Sequence, residues 1–344
     1  MASAVLTHPL GPYLVIGGSG LLVRTSFPTH VPNVEYHSQD ITDLQGLRDK
    51  IIDIQPRVIF HLAYPGYAAE VSILRKTIID GLKNVLQCAV ESPKVEALVY
   101  TSTDQVVKKT GKELTEDDAE VWREDSNTYA YPKTKAIAET LVLAANGPEL
   151  KTVSLRIPGI FGEGHCHFID TNIERMRKGQ QNMQIGNNTQ LFNFVYVQNA
   201  AHAHLLALKG LFPSPDVANP PKVAGEAFFI SDGEQIPFWD LCRKLWAAAG
   251  DHTPPEKIIV LPFWLLFILA AVGESFYWIF TLGSKQPELR TQDLEYLRTG
   301  CIFSIDKART RLGYEILVDQ DEGIRRSVKW SLEHERGETD GRKS

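Results

Sequence analysis

A short apolar strand, Leu14-Val15-Ile16, runs without a break into Gly17-Gly18-Ser19-Gly20-Leu21-Leu22. Clustered glycines after a strand let the backbone turn sharply and bring its N–H groups up to a phosphate, with no Cβ in the way. The pattern predicts an α/β fold with this strand in a mostly parallel sheet. Its last small residue is replaced by Val23, so Gly18 and Gly20 must carry the fingerprint. An ordinary glycine turn gives the same local pattern, and the rest of the chain has to decide between the two.

The stretch after the turn is too short. A full dinucleotide-binding unit needs a crossover of at least ~10–12 residues, then a second strand that ends in an acid for the adenosine ribose. Here Val34-Glu35-Tyr36-His37-Ser38 already reads as the strand before Gln39-Asp40-Ile41-Thr42-Asp43. Residues 21–33 alone intervene, and they contain Pro28 and Pro32, poor residues for a helix interior or a central strand. One early helix–strand unit therefore reads as missing. Such a loss inside a sheet should cost well over ~4–5 kcal/mol unless the strand at Val34 moves into the vacated place.

Beyond the gap, strands and helices alternate. Val58 to Ala63 is an apolar strand; residues 72–91 have helical spacing, with Ile78, Leu82, Val85 and Leu86 as the buried stripe. Ala97 to Thr101 and Val153 to Arg156 are further strands, and residues 130–146 form a helix whose first turn accepts Pro132. The alternation predicts a doubly wound parallel sheet covered on both faces. Tyr131 and Lys135 lie four apart, on one helical face. There an ammonium could hold the phenol partly ionised and make Tyr131 a base, with Thr103, at the end of Tyr100-Thr101-Ser102-Thr103, orienting a substrate oxygen.

In this order and spacing the motifs resemble the extended short-chain dehydrogenases, in the branch of 3β-hydroxysteroid dehydrogenases and decarboxylating sterol-4α-carboxylate 3-dehydrogenases. The resemblance runs from about residue 12 to about residue 333. Its marks are the segments 39–43 and 100–103, Ile59-Phe60-His61-Leu62-Ala63, Gly81-Leu82-Lys83-Asn84-Val85-Leu86, Tyr131-Pro132-Lys133-Thr134-Lys135 and Leu155 to Gly162. Asn193 to His204 and Gly313-Tyr314 complete them.

The resemblance implies a Rossmann-like unit over 12–190 and a substrate-binding region over 191–334, with no clean boundary. It also implies NAD or NADP as cofactor, NAD favoured, and oxidation of a 3β-hydroxyl on a sterol, steroid or terpenoid-like substrate. Tyr131 takes the hydroxyl proton, Lys135 lowers its pKa and holds the nicotinamide ribose, and Thr103 bonds the developing carbonyl. A 4α-carboxylate beside that carbonyl would leave as CO2. Gly17, Gly18, Gly20, Asp40, Ile41, Ala63, Asn84, Lys135 and Pro158 would line the cofactor. Two alternatives stay open: a relative that no longer binds cofactor, and a sugar-nucleotide epimerase or small-phenolic reductase on the same scaffold.

Composition narrows the partners. The 344 residues carry a formal net charge of −6 and no long basic run, which argues against nucleic acid. Cys88, Cys166, Cys242 and Cys301 are widely spaced, fitting a reducing compartment without disulfides or a zinc site. His202 and His204 lack companion ligands and read as structural. No signal peptide is visible before Pro12, and Asn187-Asn188-Thr189 reads as a chance sequon.

Leu261 to Leu282 is nearly all apolar and close to the ~20 residues that span a bilayer, but Glu274 interrupts it. A helix or hairpin lying in the membrane surface is expected, and the resemblance implies the cytosolic face of the endoplasmic reticulum; a full span, a buried helix and a cytoplasmic enzyme are the alternatives. The charged tail 335–344 is expected to be disordered, and a homodimer is left open.

Overall fold

The structure, a computed structural model, describes residues 2–8, 11–17, 34–67, 69–164, 166–281, 287 and 289–341. Two antiparallel strands, β1 (Ala2–His8) and β2 (Gly11–Ile16), come first, then β3 (Val34–Ser38) and α1 (Leu44–Ile54). Asp43 caps α1, its carboxylate accepting the Gly46 N–H at 3.1 Å. β4 (Val58–His61) leads to α2 (Val71–Leu74), a π-helical stretch Arg75–Asp80, and α3 (Gly81–Glu91). The sequence predicts one helical run here. The wide π turns fall just before Gly81, where a Cβ would stand 2.7 Å from Ile41. β5 (Ala97–Thr103), α4 (Ala130–Ala144), β6 (Lys151–Ile157) and β7 (Gly159–Phe161) come next.

The later chain runs through α5 (Thr171–Arg177), β8 (Met183–Ile185), β9 (Leu191–Tyr196), α6 (Val197–Leu211), β10 (Glu226–Phe229), β11 (Gln235–Pro237) and α7 (Phe238–Ala248). It closes with β12 (Ile259–Leu261), α8 (Phe263–Thr281), α9 (Thr291–Thr299), α10 (Asp306–Leu312) and α11 (Gln320–Gly341). Gly313, at φ +67°, ends α10. The tail differs from expectation: α11 continues as helix through Gly341.

Among the described residues the main sheet has seven strands, in the order β10-β6-β5-β4-β2-β1-β3. Side chains alternate across it, as a pleated strand requires. Leu14, Ile16, Ile59, Leu98 and Tyr100 pack with residues of α1, α3 and α4 on one face. Tyr13, Val15, Val58, Phe60, Val99 and Val153 pack with residues of α6 and α10 on the other. The expected helix stripe, Ile78, Leu82, Val85 and Leu86, is buried. A three-stranded sheet, β11-β9-β7, and the pair β12-β8 build the second region. The chain crosses between the regions more than once, because β10 returns to the main sheet beside β6.

At the shortened edge the expectation needs correction. β3 does not move in beside β2. β1 takes that place, antiparallel to both neighbours, with Ser3 opposite Ile16 and Ala2 opposite Ser38. An antiparallel partner can be reached in two residues, whereas a parallel one needs a crossover. β3 keeps the third position and runs parallel to β2.

Candidate active site

Three elements converge at the carboxyl ends of the central strands, where open α/β sheets bind their ligands. α4 brings Tyr131 and Lys135, both buried, over the ends of β4 and β5. β5 delivers Thr103, whose hydroxyl stands close enough to the Tyr131 phenol to lower its pKa. The loop after β4 adds Tyr64 and Tyr67, with ring centroids 6.3 and 6.5 Å from that of Tyr131. Both tyrosines are about half exposed, at 50% and 49%, and form an aromatic ledge beside the phenol. Sequence reasoning misses them, although Tyr64-Pro65-Gly66-Tyr67 directly follows a predicted strand end.

Lys135 is arranged differently from the expectation. Its ammonium donates to the Tyr100 hydroxyl at 2.9 Å and to the Thr101 carbonyl at 2.6 Å, and lies over the Tyr100 ring. Burial lowers its pKa to about 7, and Glu139 one turn on opposes that shift. The Tyr131 phenol is pushed well above its ordinary value, first by burial, then by the charges of Tyr64 and Asp104. In this arrangement Lys135 does not hold the phenol ionised. The buried Tyr100 hydroxyl and an open carbonyl at the end of β5 take its protons instead.

The expected cofactor residues divide into two groups. Gly17 turns at φ +97°, and a Cβ there would come within 2.6 Å of the Ala63 nitrogen, so the ends of β2 and β4 meet only because it is glycine. Ala63 and Pro158 are buried at the same ends. Gly18 and Gly20 lie outside the described residues. Asp40 accepts the Thr42 N–H at 2.9 Å, which holds its carboxyl below the usual range. The Ile41 side chain is buried against Gly81, so it is a core residue and presents no side chain to a nucleotide. Asn84, expected to line the cofactor, donates instead to the Ile41 carbonyl at 3.0 Å and braces the loop after β3. The nicotinamide end of a dinucleotide site therefore fits the residues present. At the adenosine end, the strand beside β2 presents Ala2 and Ser3 next to Ile16, where an acid would be expected.

The motif 193–204 serves as scaffold. Asn199 donates to Asp232 and to the Val318 carbonyl, and accepts from Leu317 and Val318 N–H groups. His204 donates from Nδ1 to the Ala200 carbonyl and accepts the Thr101 hydroxyl at Nε2, both at 2.7 Å. That pattern is structural, and it fixes the strand that delivers Thr103.

Glu274, the charge inside the apolar segment, is also explained. Its carboxylate accepts the Thr291 N–H at 2.8 Å and the Thr291 hydroxyl, so it caps the N-terminus of α9. Leu266 and Ala270 bury one stripe of α8, Phe263, Phe267 and Glu274 are half-buried, and most of the remaining side chains are exposed, from Trp264 at 66% to Phe280 at 70%. A buried substrate-domain helix is thereby excluded.

A model of the 3-beta hydroxysteroid dehydrogenase/isomerase family matches residues 24–263. The chain belongs to that family. Its relatives include the decarboxylating sterol-4-alpha-carboxylate 3-dehydrogenase of Gibberella zeae, 40% identical over 83% of this chain and 95% of the relative. The corresponding mouse protein is 28% identical over 92% of this chain and 89% of its own length. Solved structures show the same fold at low identity. UDP-glucose 4-epimerase of Thermotoga maritima superposes with a TM-score of 0.67 at 20% identity, covering 94% of this chain and 99% of its own. dTDP-glucose 4,6-dehydratase of Bacillus anthracis gives 0.68 at 16%, covering 94% and 97%. This family member is thus an extended short-chain oxidoreductase whose first strands pair in an altered way.

Proposed function

We propose that this chain oxidises the 3β-hydroxyl of a sterol carrying a 4α-carboxylate, with loss of CO2, and that NAD is its cofactor. The observation that carries the reading is the buried Tyr131 with Thr103 behind it and the Tyr64–Tyr67 ledge in front. A flat apolar ring system matches such a ledge. The relatives named as sterol-4-alpha-carboxylate 3-dehydrogenases support the substrate class.

Tyr131 receives the hydroxyl proton, and Thr103 fixes the carbinol oxygen beside it. Lys135 would hold the cofactor's nicotinamide ribose, and Gly17, Ala63 and Pro158 would enclose that end of the nucleotide. When bound, an oxidised nicotinamide supplies the hydride acceptor. The new C3 carbonyl then draws the electrons of the C4–carboxylate bond, so decarboxylation needs no further group.

The exposed face of α8 supports residence on a membrane. With Glu274 occupied at α9, its other sides present a continuous apolar surface, Trp264, Ile268, Val272, Phe276, Trp278 and Phe280 among them. Immersion of α8 in the cytosolic leaflet of the endoplasmic reticulum, with the sterol arriving from that leaflet, is the reading this favours.

The test is incubation of the purified chain in detergent with NAD+, NADP+ and a 4α-carboxysterol, following NADH and CO2 together. Equal amounts of both support the reading. A second reading, a relative that keeps Tyr131 and Lys135 but no longer holds nucleotide, is favoured by β1 standing where a ribose-binding strand would end. No calorimetric NAD+ or NADP+ binding at millimolar concentration would establish it.

A further inference from the structure

A polar cavity of about 120 Å³ opens beside the loop that follows β5. Lys109, Lys112, Gln190, Leu191, Thr299 and Cys301 are among the residues that line it, and none of those assembled around Tyr131 does. A single water needs about 10–15 Å³ of such space, so the cavity has room for several waters or one small polyatomic ion.

Its walls are held by backbone. Three segments meet there, 109–114, 189–191 and 299–302. The Leu114 N–H donates to the Ile302 carbonyl at 3.1 Å, and the Cys301 N–H to the Leu191 carbonyl at 3.0 Å. Gly300 ends α9 at φ +73°, and a Cβ there would stand 2.9 Å from the Leu191 carbonyl oxygen. The approach of α9 to the segment before β9 therefore requires glycine. A cavity framed in this way is formed before any ligand arrives, and little has to be ordered on binding.

Lys109 stands in it without a partner. Its ammonium lies 3.7 Å from the centroid of the Tyr296 ring. A ring face attracts a cation, but it offers no lone pair to the three N–H groups. Among the described residues, Lys109 makes no hydrogen bond and no ion pair. The nearby carboxylates are engaged elsewhere: Asp104 Oδ1 accepts the Thr103 hydroxyl at 3.0 Å, and Glu295 pairs with Arg298 at 2.7 Å. Burial lowers the Lys109 pKa, and Cys301, Asp104 and Glu295 oppose that shift only in part. Lys112, exposed at the rim, and the half-buried Gln190 amide also make no hydrogen bond through their side chains among the described residues. A desolvated cation facing a polar space calls for an oxyanion, whose charge and lone pairs answer both needs.

We infer that this cavity binds a phosphate dianion, with the Lys109 ammonium as its inner ligand and Lys112 at the rim. Two ammonium groups favour a doubly charged ion over a singly charged one. A tetrahedral phosphate also presents acceptors on every side, so the Gln190 amide can donate to it as well. The same chemistry can arrive as the free ion or as the phosphoryl group of a larger molecule, whose remainder would stay outside the exposed Thr110 and Lys112. The site is independent of the sterol reading and needs neither turnover nor dinucleotide to be tested.

The test is calorimetry on the purified full chain in detergent, at pH 7.5 and constant ionic strength, with inorganic phosphate and phenyl phosphate titrated separately. Wild type should bind one equivalent with a Kd of about 1 mM or tighter. Lys109→Met should bind at least ~10-fold more weakly, while Lys109→Arg, which keeps the charge, should stay within about threefold. Lys109→Gln repeats the comparison should the Met variant be too unstable to purify. Phosphate also stabilises proteins by exclusion from their surface, so the melting temperature serves only as a difference. Its rise with phosphate should be larger in wild type than in Lys109→Met. Binding of inorganic phosphate alone assigns the site to the free ion; phenyl phosphate binding as tightly or more tightly assigns it to the phosphoryl group of a larger molecule. Both results support the inference. No saturable binding of either compound up to ~50 mM, or a Lys109→Met or Lys109→Gln variant that binds as tightly as wild type, overturns it.

Discussion

Glu139 of α4 and Arg156 of β6 form an ion pair of 2.7 Å with both side chains almost wholly buried. Ser154 adds a 2.8 Å bond to the same carboxylate. The pair sits one turn beyond Lys135 and fastens the catalytic helix to the sheet. Removing one partner leaves a buried charge alone, so Glu139→Ala should cost about 3–5 kcal/mol. Urea unfolding checks this; a loss below about 1 kcal/mol would show the pair to be dispensable.

Tyr131→Phe removes the hydroxyl proposed to take the substrate proton and keeps the ring beside Tyr64 and Tyr67. Turnover should fall at least ~100-fold while NAD+ affinity stays within twofold. Lys135→Ala should weaken both, because in the proposed reaction its ammonium would hold the nicotinamide ribose, and it also holds Tyr100 and Thr101. Steady-state kinetics with calorimetric binding separate the two outcomes, and full activity in Tyr131→Phe would remove Tyr131 from the reaction.

His61 and His204 are buried and neutral, with pKa values lowered by burial to about 3 and about 4 from 6.5. The unfolded chain binds protons below pH 6.5 that the folded chain refuses, so stability is full above that value and is lost as the pH falls. Each histidine contributes about 1.4 kcal/mol per pH unit, up to about 4 kcal/mol for the pair between pH 6.5 and pH 5. Denaturant midpoints across that range measure it. A flat profile would mean that both rings are protonated in the folded protein.

Replacing Phe276, Trp278 and Phe280 together with serine should release the chain from phosphatidylcholine vesicles in a flotation assay. Those side chains are exposed, so the melting temperature should move by only a few degrees. Glu274→Ala should do the reverse: binding stays, and about 1 kcal/mol of stability is lost with the α9 cap. Vesicle binding unchanged in the triple variant would take α8 off the membrane.

The strands and helices from Val58 to Arg156 were legible because their signals are local: a 3.6-residue stripe at Ile78 to Leu86, and an apolar strand ending at Thr103. The pairing of β1 was not. Strand order depends on contacts that no local period encodes, and Ala2–His8 carries no glycine or turn mark of its own. Tyr131, Lys135 and Thr103 are marked by their spacing, and the structure brings them together. Spacing could not show that Lys135 would turn to Tyr100, since that depends on which buried acceptor is open. Nor could it show that Glu274 caps α9; Thr291 lies seventeen positions further on, so in the sequence Glu274 reads as a blemish in an apolar run.

β1 also changes how this edge of the sheet comes into being. A parallel neighbour for β2 can be placed only after a long connection has closed, a slow and entropically costly event. An antiparallel neighbour two residues away zips up as a hairpin within about 1–10 μs. β3 then meets a ready-made two-stranded template. The region of the chain with the weakest sequence fingerprint thereby becomes its most local in assembly, and folding there no longer waits on the distant pairings that build the rest of the sheet.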